Sequence, residues 1–232
     1  MNDGLSSFDK VISQSEIKHT LFDEIKETIY LSIKRLFDII ISLIGLLFMI
    51  PIMLVIKIAY VLTGDFKSII FSQNRIGLNG KEFKLYKFRS MILNADEELY
   101  KLLEENKDLK EEYQTNKKLK NDPRITKIGK FIRKTSLDEL PQFINIFKGD
   151  MSLIGNRPYL PREKDDIGLY YNQIIKTKPG LTGYWQVSGR NNVSFADRVR
   201  LETWYSNHTS LNLDTKIFFK TFKTVITEKI TR

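Results

Sequence analysis

The eighteen residues from Ile39 to Ile56, IIISLIGLLFMIPIMLVI, carry no charge. A run of that length can span a bilayer, whose apolar core is roughly 30 Å thick, and few soluble helices are apolar all round. Pro51 lies inside the run, where it removes one backbone hydrogen bond and clashes with the preceding turn. A helix from Ile39 to Ile50 alone rises only about 18 Å, short of a crossing. Lys34 and Arg35 precede the segment, and Lys57, Lys67, Arg75 and Lys81 follow it. Both flanks therefore look cytoplasmic. A helix broken at Pro51 that enters and leaves by the same face satisfies both observations. The alternatives are a proline-kinked transmembrane helix and a fully buried soluble helix. Asp38 is expected to cap the helix start or to pair with Arg35. The residues before the segment are mostly polar and show neither a short basic start nor a small-residue cleavage site, so no signal peptide is expected.

The net charge of +9 suits an anionic partner: lipid headgroups, nucleic acid or phosphorylated substrates. The chain has no cysteine, which excludes disulfides, thiol nucleophiles and cysteine–zinc sites and fits a reducing compartment. His19 and His208 are its two histidines, too few for a histidine metal cluster and a poor basis for a Ser-His-Asp triad. Acid–base chemistry falls to Asp, Glu, Lys or Tyr.

After the apolar segment, 68–74 and 82–89 read as strands joined by a two-residue turn at Asn79-Gly80. Lys87 and Arg89 would share one strand face, as a solvated edge or as a phosphate contact. Residues 94–120 are highly charged and read as a solvated helical excursion or a loop. Ile125, Ile128 and Ile132 recur on one helical face with Lys127, Lys130 and Lys134 on another, the pattern of a basic helix on an anionic membrane or of one packed on a core with its lysines in water; the apolar segment upstream favours the first. Leu213, Ile217, Phe218, Phe222, Val225 and Ile226 repeat that pattern near the C-terminus.

The candidate chemistry sits at Ser136-Leu137-Asp138-Glu139-Leu140-Pro141. Pro141 is harmless only in a first helical turn, so a helix should begin near Asp138. That puts both carboxylates beside free N–H groups and the positive end of the dipole. Ser136 and Glu139 also fit a capping box, a purely structural role. Arg133 upstream and the Gly155-Asn156-Arg157-Pro158 turn downstream favour chemistry with a phosphate. Adjacent helical residues point about 100° apart, which suits a division of labour better than a shared proton.

These motifs together resemble the bacterial sugar transferases, the monotopic phosphoglycosyl transferases. The resemblance runs from about Ile33 to Lys223. It rests on Lys34-Arg35-Leu36-Phe37-Asp38, Pro51, Gln73-Asn74-Arg75-Ile76-Gly77 and Tyr86-Lys87-Phe88-Arg89-Ser90-Met91. It continues through Arg133, Ser136-Leu137-Asp138-Glu139-Leu140, Lys148-Gly149-Asp150-Met151-Ser152 and Arg157-Pro158. The last marks are Lys178-Pro179-Gly180-Leu181-Thr182-Gly183 and Gln186-Val187-Ser188-Gly189-Arg190. Two positions depart from the family pattern: Ile50 stands where serine is usual before the membrane proline, and Asn156 replaces the first proline of Pro-Arg-Pro.

The resemblance implies an α+β, mainly helical monotopic membrane protein with a re-entrant helix, interfacial amphipathic helices and a small β-hairpin. It implies a polar extension over 1–32, the membrane helix over 33–58 and a cytosolic catalytic domain over 59–232, the family's minimal form. The implied reaction moves a sugar-1-phosphate from a UDP-sugar to undecaprenyl phosphate at the cytoplasmic face of the bacterial inner membrane, for capsule, exopolysaccharide or O-antigen assembly. Asp138 is implied as covalent nucleophile and Glu139 in Mg²⁺ binding or proton handling, with Asp138 and Glu139 as the metal ligands. Lys87, Arg89, Arg133, Arg157, Pro158 and Arg190 are the expected substrate contacts. The sugar and the oligomeric state stay open, a homo-oligomer included. Two other readings compete. A basic membrane adaptor or nucleic-acid binder would bind in a salt-sensitive way and could stack Tyr184, Trp185, Phe195 or Trp204 on bases, but no nucleic-acid motif is recognised and no such partner is expected. A sugar transferase that releases UDP, or a lipid phosphatase, would differ in its product.

Overall fold

A computed structural model describes residues 3–116, 119–188 and 193–230. The chain divides into two compact units, Met1–Phe37 and Asp38–Arg232. Its first element, helix α1 (Asp3–Leu62), passes through both and keeps Pro51 inside it. The proline does not end the helix, because the hydrogen bonds on either side of the lost one hold both halves helical. The Phe22–Leu62 stretch is long and apolar enough to cross a membrane.

Within the second unit, one face of α1 is buried. Asp38 and Ser42 lie on it, then Met49, Ile56 and Tyr60. The last three join Ile69, Phe88 and Ile132 in a core cluster. Leu43, Leu47, Phe48, Leu54, Val55 and Leu62 stay exposed, Leu47 at 69% and Leu62 at 81%. Between Asp38 and Leu62 the helix thus buries Asp38 and Ser42 along with one apolar strip and presents a second apolar face outward, which a water-facing helix does not do. Gly45 permits the close approach to the ring of Phe143, which a Cβ there would meet at 2.5 Å.

Asp38 lies in the middle of α1, not at its start, so it caps nothing. Its Oδ1 accepts from Ser152 Oγ at 3.1 Å and from the Leu153 amide at 2.7 Å. A buried carboxylate is stable only with such donors.

Strands β1 (Ile70–Ile76) and β2 (Glu82–Phe88) form an antiparallel hairpin in which Ile76 faces Glu82. The connection is five residues, 77–81, and not the expected two-residue turn. The Gly77 amide donates to the Lys81 carbonyl at 2.9 Å, and the Asn79 amide is drawn to the Ile175 carbonyl at 2.8 Å. Asn79 takes the left-handed conformation its side chain tolerates (φ 55°), inside this longer docked loop.

The charged stretch folds as α2 (Ala95–Glu105) and α3 (Lys107–Asn116). In α4 (Lys127–Lys134) the isoleucine face meets protein: Ile132 is buried, Ile128 packs on the α1 cluster and Ile125 bridges to Met91. The apolar side chain α4 leaves exposed is Phe131, at 61%. The isoleucine stripe is therefore core, because the hairpin and α1 offer it an apolar surface.

Next come α5 (Gln142–Lys148) and β3 (Ser152–Ile154), which pairs in parallel with β4 (Gly180–Thr182). A Cβ on Gly180 would fall 2.1 Å from the Gly155 amide nitrogen, so this crossing needs glycine. Short helices α6 (Lys164–Ile167) and α7 (Tyr171–Ile174) fill the crossover. Helices α8 (Tyr184–Ser188), α9 (Phe195–Asn207) and α10 (Leu211–Ile230) close the unit. In α10, Ile217 is buried against Tyr205 and Ile154, with Leu213 and Phe218 packed on them; Phe222 is exposed. The side chains of Val225 and Ile226 lie outside the described residues. The architecture is α+β and mainly helical; among the described residues its strands make two two-stranded sheets.

Candidate active site

The turn between α4 and α5 departs from the expected helix start. Ser136 adopts a left-handed conformation (φ 58°) and its side chain caps nothing, so no capping box forms. Leu137–Glu139 make one 3-10 turn, and α5 begins only at Gln142, with Pro141 as its cap. A non-glycine residue with positive φ is uncommon and carries some strain. Leu137 and Leu140 pack on the α1 core cluster and anchor the turn from both ends. Asp138 and Glu139 between them meet the cations.

Lys87 reaches the turn from β2, with Nζ 2.9 Å from Glu139 Oε1. Burial opposes charge on Glu139, yet the Lys87 charge and hydrogen bond, then Arg157 and Gln142, hold its carboxyl below the ordinary value. Asp138 goes the other way. Burial pushes it up to about 6, Glu139 adds to the rise, and Lys87 and Arg133 oppose it without prevailing. Two neighbouring carboxyls thus split: Glu139 is clamped as an anion, and Asp138 ionises only near neutrality. Perturbation by burial plus specific charged partners marks functional carboxyls.

The expected residues divide as follows. Asp138, Glu139, Lys87, Arg133 and Arg157 act on one another in one place. Pro158 adjoins them, its carbonyl accepting from Arg75 Nη1 at 3.0 Å. Arg89 is elsewhere. It lies beyond the end of β2 and is buried, with Nη2 2.8 Å from Asp65 Oδ2, Nε 2.9 Å from the Ser68 carbonyl and Cζ 4.6 Å from the Tyr60 ring centre. It ties the end of α1 to the hairpin through contacts within the protein. Arg190 lies outside the described residues. Pro51 sits in α1 as given above.

The structure adds neighbours that sequence reasoning passed over. The Arg157 amide donates to Glu202 Oε1 at 2.9 Å, and its Nη2 is 3.7 Å from Glu163 Oε1. Gln142 is buried beside Glu139. Arg198 and Glu202, four residues apart on α9, were legible only as an ordinary helical ion-pair spacing. As for a metal, no group of three or more His, Cys, Asp or Glu side chains gathers among the described residues. Asp138 and Glu139 are the pair that would offer oxygen ligands beside the cations.

The profile described as bacterial sugar transferase matches residues 29–228, most of the chain. This chain belongs to the bacterial sugar transferase family. Among relatives, the undecaprenyl-phosphate galactose phosphotransferase of Salmonella typhimurium is 47% identical over 198 residues, covering 84% of this chain and 40% of that protein. The exopolysaccharide production protein ExoY of Rhizobium meliloti is 44% identical over 195 residues, covering 83% and 84%. The UDP-glucose:undecaprenyl-phosphate glucose-1-phosphate transferase of Escherichia coli is 36% identical over 201 residues, covering 82% and 39%. This sugar transferase therefore spans about two fifths of the first and third relatives and most of the second.

Proposed function

We propose that this sugar transferase moves a sugar-1-phosphate from a UDP-sugar to undecaprenyl phosphate, through a covalent phosphosugar on Asp138, releasing UMP. The reading serves the first membrane step of an extracellular polysaccharide. The relatives' names supply the substrate class. The observation that carries the residue assignment is the split pair: Asp138 near neutrality, Glu139 clamped by Lys87 at 2.9 Å.

In the first step an ionised Asp138 oxygen attacks the phosphorus that bears the sugar. A carboxylate–phosphorus bond forms and the bond to the bridging oxygen breaks, with its electron pair leaving on UMP. In the second step an oxygen of undecaprenyl phosphate attacks the same phosphorus, and the Asp138 carboxylate leaves. The covalent stage divides one difficult displacement into two. Lys87, Arg133 and Arg157 offset the charge of an anion approaching two carboxyls. A carboxyl held near 6 is mostly ionised at neutral pH yet poorly stabilised, which favours its use as a nucleophile.

Asp138 and Glu139 fit Mg²⁺, which uses one or two carboxylates and leaves its remaining positions to water and substrate phosphates. When bound, the ion would neutralise charge on the donor diphosphate. The exposed apolar face of α1 supports a seat in the membrane, and the basic residues on both flanks of the apolar run favour the cytoplasmic side for the site.

The test is nucleotide release by the protein in nanodiscs with Mg²⁺, undecaprenyl phosphate and a panel of UDP-sugars, beside Asp138→Asn. UMP that needs the lipid and vanishes in the variant is the expected result. UDP in its place means direct glycosyl transfer, and no nucleotide at all from folded protein favours a non-enzymatic adaptor.

A further inference from the structure

Arg157, whose charge reaches Glu139, also belongs to a second charged cluster. Arg75 of β1 donates to the Pro158 carbonyl at 3.0 Å, which ties it to the Arg157 turn. Glu202 of α9 accepts from the Arg157 amide at 2.9 Å, and Arg198 stands one helical turn before Glu202. Arg198 Cζ lies 4.4 Å from the Trp185 ring centre, and Arg157 Cζ lies 5.9 Å from that of Tyr159. Arg198, Glu202 and Tyr159 are 5%, 1% and 2% exposed.

Four polar atoms in this cluster are buried with no hydrogen-bond partner: Nε of Arg75, Arg157 and Arg198 and Nε1 of Trp185. All four can only donate. Buried polar atoms are normally paired, and a group of orphans in one place calls for a cause. The charges point the same way. Burial and then the Arg157 charge pull Arg75 down to about 10 and lower Arg198 as well. Three guanidiniums crowd one turn, faced by the carboxyls of Glu163 and Glu202, and burial pushes Glu202 up to about 7. Such a site is short of an anion.

We infer that Arg75, Arg157 and Arg198 form the seat for the diphosphate of the nucleotide donor, with Arg75 and Arg198 as substrate-binding residues. This rests on the phosphosugar-transfer reading given above. The choice of nucleotide over lipid phosphate follows from the packing. Tyr159 and the neighbours of Arg75 and Arg198, Ile76 and Val199, belong to a core cluster that contains no α1 residue. The neighbours of Asp138, Leu137 and Leu140, pack on the cluster that α1 builds with Met49, Ile56 and Tyr60. The water-soluble donor therefore enters from the Arg198 side. The lipid phosphate comes to Asp138 from the α1 side, past Arg133.

The experiment measures binding of UDP and, separately, of undecaprenyl phosphate to the full chain in nanodiscs with Mg²⁺, for wild type, Arg198→Gln, Arg75→Gln and Arg133→Gln. Losing one charge-assisted phosphate contact should weaken UDP binding about tenfold or more in Arg198→Gln and Arg75→Gln, with lipid affinity unchanged. Arg133→Gln should do the reverse. Arg75 is only partly buried, so its variant carries the test if Arg198→Gln fails to fold. Unchanged UDP affinity in the folded variants overturns the assignment, as does equal loss of both ligands. A wild type that turns over UDP-sugar while the variants bind UDP normally sinks the seat alone. A wild type that neither binds UDP nor turns over any donor sinks the transfer reading with it.

Discussion

Two groups of carboxyls meet at Arg157 and live by opposite rules. Around Asp138 and Glu139 the turn is half-open, and one lysine, Lys87, at 2.9 Å makes Glu139 the stronger acid of the two. Around Glu202 the protein is closed: the side chain is 1% exposed, yet the Nε atoms of the three surrounding arginines lack partners. The first arrangement is strained in its backbone at Ser136. The second is relaxed in backbone and incomplete in hydrogen bonds. A site that reacts needs a poised group, whereas a site that binds needs unmet donors. The same chain builds both within reach of one arginine.

The sharpest way to break the contrast is Asp138→Asn. It should cut UMP release by more than about a thousandfold. It should also stabilise the fold. A carboxyl raised to about 6 contributes stability below its unfolded value of 3.8 that is lost as pH rises through 6. The neutral amide escapes that loss. Without divalent cation, the variant's advantage in denaturant melts should grow between about pH 4 and 6 and level off at roughly 2–3 kcal/mol. A variant no more stable than wild type at pH 7.5 would show that Asp138 is not held up by burial.

Lys87→Met removes the clamp and is expected to lower kcat by roughly 10–100-fold, since a charged contact is lost beside the reacting groups. Both Glu139 and Asp138 would then ionise less readily. The acid limb of the pH–rate profile should move to higher pH, and an unmoved limb would remove Lys87 from the pair's electrostatics.

Glu202→Gln sharpens the other half. Burial first, opposed by Tyr159, Arg157 and Arg198, leaves Glu202 titrating at about 7. As pH rises from 6 to 8 it gains a negative charge beside the arginines. UDP affinity in wild type should fall a few-fold over that range, about what one charge does at a partly screened site. In Glu202→Gln it should stay at the low-pH level. A variant that keeps the wild-type slope would mean that another group titrates there.

The smallest effect on catalysis is expected for Arg89→Met. Arg89 braces Asp65 and the Ser68 carbonyl, so the variant should melt earlier while the folded fraction keeps its donor KM. A selective rise in KM would return Arg89 to the substrate.

Much of the site was legible in the chain. The Asp138-Glu139 pair, Lys87 on a strand face, and the basic residues at 133 and 157 are local patterns with a chemical meaning. The errors share a cause. Ser136 and Glu139 spell a capping box, but Leu137 and Leu140 are pulled into the α1 cluster and the backbone turns left-handed instead. Asn79-Gly80 spells a two-residue turn, but the Ile175 carbonyl captures the Asn79 amide and the loop lengthens. The isoleucines of α4 spell a membrane face, but protein covers them. In each case a partner distant in sequence outbid a weak local preference.

The sequence by itself determined that α1 holds an uncharged apolar run of eighteen residues, that thiol chemistry is impossible, and that two adjacent carboxyls face a basic chain. Those statements depend only on composition and short-range spacing. Tertiary structure alone decided which carboxyl is the weaker acid, that Arg89 is a brace, and that Arg75, Arg157 and Arg198 converge from β1, the turn after β3 and α9. Burial and charge–charge coupling act through space over a few ångströms, and residues that far apart in the chain meet only when it folds.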